Sequence, residues 1–330
     1  MNDADLIKIF YKENNTISSN DLNSLIRTFC LQGMEYPFLA RIKSNKFVNK
    51  LLLKLDKRFN DYLGYLKVAA ELFSKNNVKF MFVKSNPPFK GFSNDFDLLI
   101  PNKVMYDKSI SLLKDINYSI THKINHEIHC FFDGLTLDVH NKLGWDGFGN
   151  GGGGFRLLDE RLIFSNSKLI NFFGIKLRVP KVEDEILILM AHSLFQHHYL
   201  SLYEFFYISE LIKRNNIDLD YIKINSSRFG WWQGAKHVLS LVNSKYYSIN
   251  NNYLLPKSFS IKNYSVKILD YNSSSFTLKL YFNKLINDFN LKSFYYSITG
   301  FLIYLMRFLR YKSNGYLAFN IDFLTKEGYL

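Results

Sequence analysis

Three acidic residues in two strand-like stretches have the types and spacing to bind a divalent metal ion. Asp95 and Asp97 lie two residues apart in the run DFDLLI, and side chains at that spacing on a β-strand point to the same face. The apolar residues that follow predict a buried strand, and buried negative charges need a compensating cation. Asp138 lies in a second such stretch, LTLDVH. Carboxylates on neighbouring strands are ligands suited to Mg²⁺, the usual companion of nucleotide phosphates.

A short strand and a turn precede the acids and predict where phosphates would bind. The apolar run Val78–Val83 predicts the strand, and two prolines soon after it force a loop. The turn Lys84-Ser85 would place backbone N–H groups and the Ser85 hydroxyl near the β- and γ-phosphates of a nucleotide. Lys84 and Lys90 are candidates for further phosphate contacts.

The order of these features resembles the nucleotidyltransferase superfamily and, more closely, its uncharacterised nucleotidyltransferase family. The similar runs are FVKS, NDFDLLIP and LTLDVHNKLGW, where the family reads LKG, DIDLLV and DLHW. The resemblance extends from about Val78 to Leu200. The chain departs from the family in its turn, which is Lys-Ser where the family prefers Lys-Gly. A second departure is Lys90, which stands in for an arginine usually found ahead of the acids.

This resemblance implies an enzyme that moves a nucleoside monophosphate from an NTP to an acceptor and releases pyrophosphate. Asp95 and Asp97 would hold Mg²⁺ or Mn²⁺, and Asp138 would complete the ion site or accept the acceptor's proton. The acceptor is a small molecule, a protein or an RNA, and the sequence does not choose between them. The altered turn leaves an alternative open, namely a catalytically inactive protein of the same fold that binds nucleotides or nucleic acid. Three acids kept together favour the enzyme.

Composition and charge narrow the partners and the location of the protein. The formal net charge of +13 favours RNA or another polyanion, although a general basic bias with solvated lysines gives the same number. The two cysteines exclude a disulfide framework and a cysteine metal site. The first residues lack the features of a signal peptide, so we expect a cytoplasmic protein. The apolar run Phe294–Met306 is shorter than the roughly 20 residues that span a bilayer, which predicts a buried helix, with an interfacial helix as the alternative.

The pattern along the chain predicts an α+β fold with three parts. We expect an N-terminal helical segment over residues 1–77, a nucleotidyltransferase core with a small mixed sheet over 78–182, and a C-terminal helical domain over 183–330. Helices are predicted at Asn45–Lys75 and Lys103–Asp115, and a hairpin ahead of the strand Leu135–His140. The polar stretch Asn243–Asn263 predicts a loop, and the glycine-rich run Asp146–Phe155 predicts a mobile connection or lid.

Histidines and tryptophans near these motifs allow both structural and functional interpretations. His140 lies two residues after Asp138, on the same face, where it would bind substrate or orient that acid. The string HEIH from His126 is one residue short of the zinc-protease spacing, which argues against a zinc site of that kind.

In the C-terminal half, His192 and His197 fit helix packing better than catalysis. Trp231 and Trp232 stand beside basic residues and could stack on bases, but core anchoring of a helical bundle is the preferred interpretation.

Overall fold

The computed structural model describes residues 34–40, 46–89, 95–124, 127–132, 135–145, 155–197 and 200–260. Several predictions fall outside these residues: Lys90, His126, nearly all of the glycine-rich run, the first 33 residues of the N-terminal helical segment, and Phe294–Met306. Within these ranges, no helix combines the length and apolar character needed to cross a membrane.

The described residues form a mixed α+β structure, as the sequence predicts. The helices are α1 (Glu35–Leu39), α2 (Lys46–Lys75), α3 (Lys103–Asp115), α4 (Glu160–Ser165), α5 (Val182–His192), α6 (Leu202–Arg214), α7 (Leu219–Arg228) and α8 (Trp232–Asn250). A π-helical turn at Ser193–His197 extends α5, and a 3₁₀ turn lies at Lys257–Phe259. The strands are β1 (Met81–Val83), β2 (Asp95–Leu99), β3 (Ser119–Ile124), β4 (Glu127–Phe132), β5 (Leu135–His140), β6 (Gly144–Trp145), β7 (Phe155–Arg156), β8 (Lys168–Phe172) and β9 (Ile175–Val179).

A five-stranded mixed sheet carries the predicted acids. Its strand order is β1-β2-β5-β4-β3, with β2 and β5 parallel and the other neighbours antiparallel. The register pairs Asp97 of β2 with Asp138 of β5, and Asp138 with His129 of β4. Directly paired residues share a face of the sheet, so these three side chains form a row across three strands.

The two faces of the sheet pack on different elements because apolar and polar residues alternate along the strands. One face buries Phe82, Phe96 and Leu98 in an apolar cluster with residues of α2, α3 and β9. The opposite face contributes Val83 and Leu99 to a second cluster, built mainly from α5, α6 and α8. The acids lie on this second face, because they alternate with the residues of the first. The sheet therefore presents its acidic residues to the side where the C-terminal helices pack.

The C-terminal helices agree with the prediction up to residue 242 and differ from it beyond that point. The prediction of a loop over Asn243–Asn263 is wrong at its start, because α8 continues to Asn250. Asn243 is fully buried, and its side-chain oxygen accepts the backbone N–H groups of Leu254 at 3.0 Å and Leu255 at 2.9 Å. A polar residue can therefore be buried in this helix, because its side-chain oxygen forms hydrogen bonds with backbone N–H groups of the segment that follows the helix.

Trp231 is a core anchor, which confirms the preferred interpretation of this residue. It is fully buried, and its indole Nε1–H donates to the carbonyl oxygen of Leu157 at 2.8 Å. Trp232 is partly buried and packs against the same apolar cluster. The division into a core ending at 182 and a helical domain from 183 stays a prediction, and one apolar cluster contains residues from both sides of it.

Candidate active site

The turn after β1 lies directly against β2 and brings a lysine to the predicted acids. The ammonium Nζ of Lys84 lies 2.9 Å from Oδ1 of Asp97. The buried Ser85 uses its hydroxyl oxygen to accept the backbone N–H of Asp97 at 3.3 Å. Lys84 has a left-handed backbone with φ of 54°, a conformation that costs a non-glycine residue about 1 kcal/mol. The turn is therefore held in place by contacts with β2 rather than by its own backbone preference.

Asp97 is a buried carboxylate that contacts a lysine and a histidine. Only 4% of it is exposed, and His140 Nε2 lies 2.8 Å from the same oxygen that contacts Lys84. Burial alone would raise the pKa of Asp97, but Lys84 and His140 outweigh it and hold that pKa below its usual range. Burial likewise opposes the charge on Lys84, yet Asp97 and Asp95 raise the pKa of the lysine above its usual value. The pair is therefore ionised at neutral pH.

Asp138 belongs to a cluster of potential metal ligands on β4 and β5. His129 lies between two carboxylates, with Nδ1 2.9 Å from Asp138 Oδ1 and Nε2 3.0 Å from Glu127 Oε1. One potential ligand atom from each of these residues falls within 4.8 Å of the others. Asp138 and Glu127 raise the pKa of His129 to about 10. Burial raises the pKa of Asp138, and Asp97 adds to that shift.

Asp95 begins β2 and is half-buried. It lies two residues before Asp97, so the strand places both carboxylates on one face. The predicted metal ligands Asp95, Asp97 and Asp138 thus occupy adjacent strands of the same sheet. That they bind a metal together stays a prediction, as does the phosphate-binding role of Lys84 and Ser85, and Lys90 lies outside the described residues.

Comparison with known proteins identifies the family of this part of the chain. The model of a family described as uncharacterised nucleotidyltransferase matches residues 91–245. Residues 91–245 therefore form a domain of this nucleotidyltransferase family. No curated protein and no solved structure matches the chain. The match confirms the resemblance found in the sequence, supports a nucleotidyltransferase enzyme and implies an NTP substrate.

Helices α5 and α6 of the nucleotidyltransferase domain hold the turn from the other side. The hydroxyl of Tyr207 donates to Glu185 Oε1 at 2.7 Å and accepts the backbone N–H of Asn86 at 3.2 Å. The hydroxyl of Tyr203 donates to the carbonyl oxygen of Lys84 at 3.5 Å. Burial raises the pKa of Glu185 to about 7, against the lowering effects of Tyr207 and the Lys84 backbone. These contacts link the helical part of the enzyme to the predicted phosphate-binding turn.

The structure shows the contacts of two histidines that the sequence analysis named, His140 and His192. His140 contacts Asp97 through Nε2 at 2.8 Å, and its Nδ1 lies 3.7 Å from Glu127 Oε2, so its ring meets these two acids directly rather than Asp138. The reason is the pleat, which directs His140 toward the neighbouring strands β2 and β4 rather than along its own strand. That it binds substrate or orients Asp138 stays a prediction. His192 makes a 2.8 Å contact from Nδ1 to Glu204 Oε1, and this agrees with its helix-packing interpretation.

Glu127 and His129 are the functional candidates that sequence reasoning missed. The zinc-protease comparison tested the spacing of His126 and His129, and His126 lies outside the described residues. The useful signal is instead the spacing of Glu127 and His129, two residues apart on β4, because it places both on one face. Their partner Asp138 comes from β5 and depends on the register of the two strands.

Proposed function

We propose that this nucleotidyltransferase moves a nucleoside monophosphate from an NTP to an unidentified acceptor in a metal-dependent reaction. The observation that carries the proposal is the in-register pairing of the buried Asp97 and Asp138 on parallel neighbouring strands, with Asp95 on the same face. Oxygen ligands grouped in this way suit Mg²⁺ or Mn²⁺. This arrangement belongs to a domain of a nucleotidyltransferase family.

The charge balance of this face supports a requirement for divalent ions. Glu127 lies on the same face as the three aspartates. Burial would raise the pKa of Glu127, but His140 and His129 outweigh burial and lower this pKa to about 2. Among the described residues, the ammonium of Lys84 and the imidazoles of His129 and His140 contact these carboxylates. A bound triphosphate would add several negative charges to four carboxylates, and a buried excess of that size is too costly without further cations.

Asp95, Asp97 and Asp138 would hold the ions, whose chemistry is to activate the attacking hydroxyl and to neutralise charge on the phosphates. The acceptor oxygen forms a bond to the α-phosphorus while the bond from that phosphorus to the bridging oxygen breaks. Pyrophosphate leaves with the electron pair, and Asp138 takes the acceptor's proton.

The turn would bind the leaving phosphates. Backbone N–H groups near Ser85 and the ammonium of Lys84 would approach the β- and γ-phosphates, since Lys84 Nζ lies beside the predicted metal ligand Asp97. The acceptor is a small molecule, a protein or an RNA. The net charge of +13 supports RNA or another polyanion among these.

Incubation with each α-³²P-labelled NTP, with Mg²⁺ or Mn²⁺ and with or without total RNA, tests the proposal. We expect label to reach RNA, protein or a small molecule, and Asp97→Asn or Asp138→Asn to abolish the transfer. Asp184→Asn is the matched control, because Asp184 is also a buried carboxylate but contacts Tyr221 Oη at 2.8 Å, in the helical part.

Equal activity of the wild type and Asp97→Asn would refute the proposal. Metal-dependent NTP binding without transfer to any acceptor would instead favour the catalytically inactive binding protein.

A further inference from the structure

Side chains of β4 and β5 form a compact group beside the acids assigned above. Glu127 and His129 are two residues apart on β4, and the register pairs His129 with Asp138 and Glu127 with His140. The four residues therefore occupy the corners of a small square on one face of the sheet. Asp138 is the corner that adjoins Asp97 on β2.

The distances in this group are close to those of ligands around a single ion. One ligand atom each of Glu127, His129 and Asp138 lies within 4.8 Å of the others. Two opposite ligands of a metal ion with bonds of about 2.1 Å lie about 4.2 Å apart. Small side-chain rotations would close this difference, because His129 and Glu127 are only partly buried, with 33% and 18% of their side chains exposed.

The environment of His129 also matches that of a metal-binding histidine. Each ring nitrogen lies at about hydrogen-bond distance from a carboxylate oxygen, Nδ1 2.9 Å from Asp138 and Nε2 3.0 Å from Glu127. An ion bound to one ring nitrogen would take both carboxylates as its other ligands, because ligand atoms of the three residues already lie within 4.8 Å of one another.

We propose that Glu127, His129 and Asp138 form a second metal site, which binds a divalent transition-metal ion such as Mn²⁺ with an imidazole nitrogen among its ligands. This site is distinct from the all-oxygen site of Asp95 and Asp97, and the two share Asp138. An imidazole suits transition-metal ions, whereas Mg²⁺ prefers oxygen ligands. The protein therefore binds Mn²⁺ more tightly than Mg²⁺ at this position. The inference rests on the proposed function only for the role of Asp138 in the first site.

Pulsed electron paramagnetic resonance of the full-length protein with Mn²⁺ and without nucleotide tests this site directly. A ¹⁴N modulation in the echo decay reports an imidazole nitrogen bound to the ion. We expect the wild type to show it, His129→Gln to lose it, and His140→Gln to keep it. His140 is the matched control, because it lies on the same face but contacts Asp97. We also expect His129→Gln to weaken Mn²⁺ binding by at least about 10-fold and to leave Mg²⁺ binding nearly unchanged.

Glu127→Gln provides a second variant in case His129→Gln does not fold. It should weaken Mn²⁺ binding while the ¹⁴N signal stays at saturating metal. The proposal is overturned if the wild type shows no ¹⁴N modulation, if His129→Gln retains it, or if only His140→Gln loses it. If the wild type shows no ¹⁴N modulation or His129→Gln retains it, His129 is only a charged partner of its two carboxylates.

Activity is not needed to read this experiment, so the two proposals can fail separately. Asp97→Asn should lose nucleotide transfer and keep the ¹⁴N modulation. A wild type that shows the modulation but transfers no nucleotide would refute the proposed function and support the second site. Nucleotide transfer without any ¹⁴N modulation would support the proposed function and refute the second metal site.

Discussion

Removal of the Tyr207 hydroxyl tests whether the helical part of the protein holds the turn that follows β1. This hydroxyl is a direct link between them, because it donates to Glu185 Oε1 at 2.7 Å and accepts the Asn86 N–H at 3.2 Å. Tyr207→Phe removes only the hydroxyl and keeps the buried ring. If the turn positions Lys84 for catalysis, the variant should lose activity as well as stability.

The expected magnitude follows from the two hydrogen bonds. Loss of the first bond leaves the buried Glu185 without this donor, at a cost of about 1–3 kcal/mol. The longer bond to the part-buried Asn86 belongs at the low end of that range. We therefore expect Tyr207→Phe to lower the free energy of unfolding by about 2–3 kcal/mol. If about half of that loss also applies to the transition state, kcat falls about 10-fold, because each 1.4 kcal/mol is a factor of ten in rate.

Tyr221→Phe is the matched control for this experiment. Tyr221 donates to Asp184 Oδ1 at 2.8 Å, so it also links a tyrosine to a buried carboxylate of α5. The Tyr221 hydroxyl also accepts a hydrogen bond from the side-chain amide of Asn166 at 3.3 Å, which lies outside the turn. The control should lose a similar amount of stability and keep kcat.

Urea unfolding and initial rates of nucleotide transfer, measured on both variants, decide the question. Equal loss of kcat in both would show that the effect is general destabilisation. Full kcat in Tyr207→Phe, together with the expected loss of stability, would show that the turn needs no support from α5 and α6. Either result would refute the reasoning.

Two further predictions concern stability. The pKa of Glu185 is about 7 in the folded protein, above its unfolded value of 4.5. The protonated carboxyl therefore contributes stability that is fully present below about pH 4.5 and is lost as the pH rises through 7. The total loss in free energy of unfolding is about 3 kcal/mol. Glu185→Gln should therefore change less in free energy of unfolding between pH 5 and pH 8 than the wild type, and identical pH dependence in urea unfolding would contradict the raised pKa. Trp231→Phe should lower the free energy of unfolding by about 2–3 kcal/mol, since it removes buried volume and the hydrogen bond to Leu157 O. Mn²⁺ binding should not change. A loss below about 0.5 kcal/mol would mean that this bond and this volume matter little.

The sequence by itself determined the elements whose signals are local. Helix α3 has the predicted bounds, because Asn102 caps it by accepting the N–H of Met105 at 3.0 Å and apolar residues follow at helical spacing. The strand bearing Asp138 also has the predicted bounds. The same-face placement of Asp95 and Asp97 needed only their spacing along β2.

Only the tertiary structure decided which side chains meet across the sheet. Asp138 contacts His129, which also contacts Glu127, and Asp97 contacts Lys84 and His140. These contacts depend on strand order and register, which place β5 between β2 and β4.

Burial of polar residues was decided in the same way. Asn243 sits in the middle of α8 because its amide meets backbone groups of residues 254 and 255, which are distant in sequence. Local spacing fixes the face on which a side chain lies, whereas its partner is chosen by hydrophobic packing that brings distant segments together and sets their register.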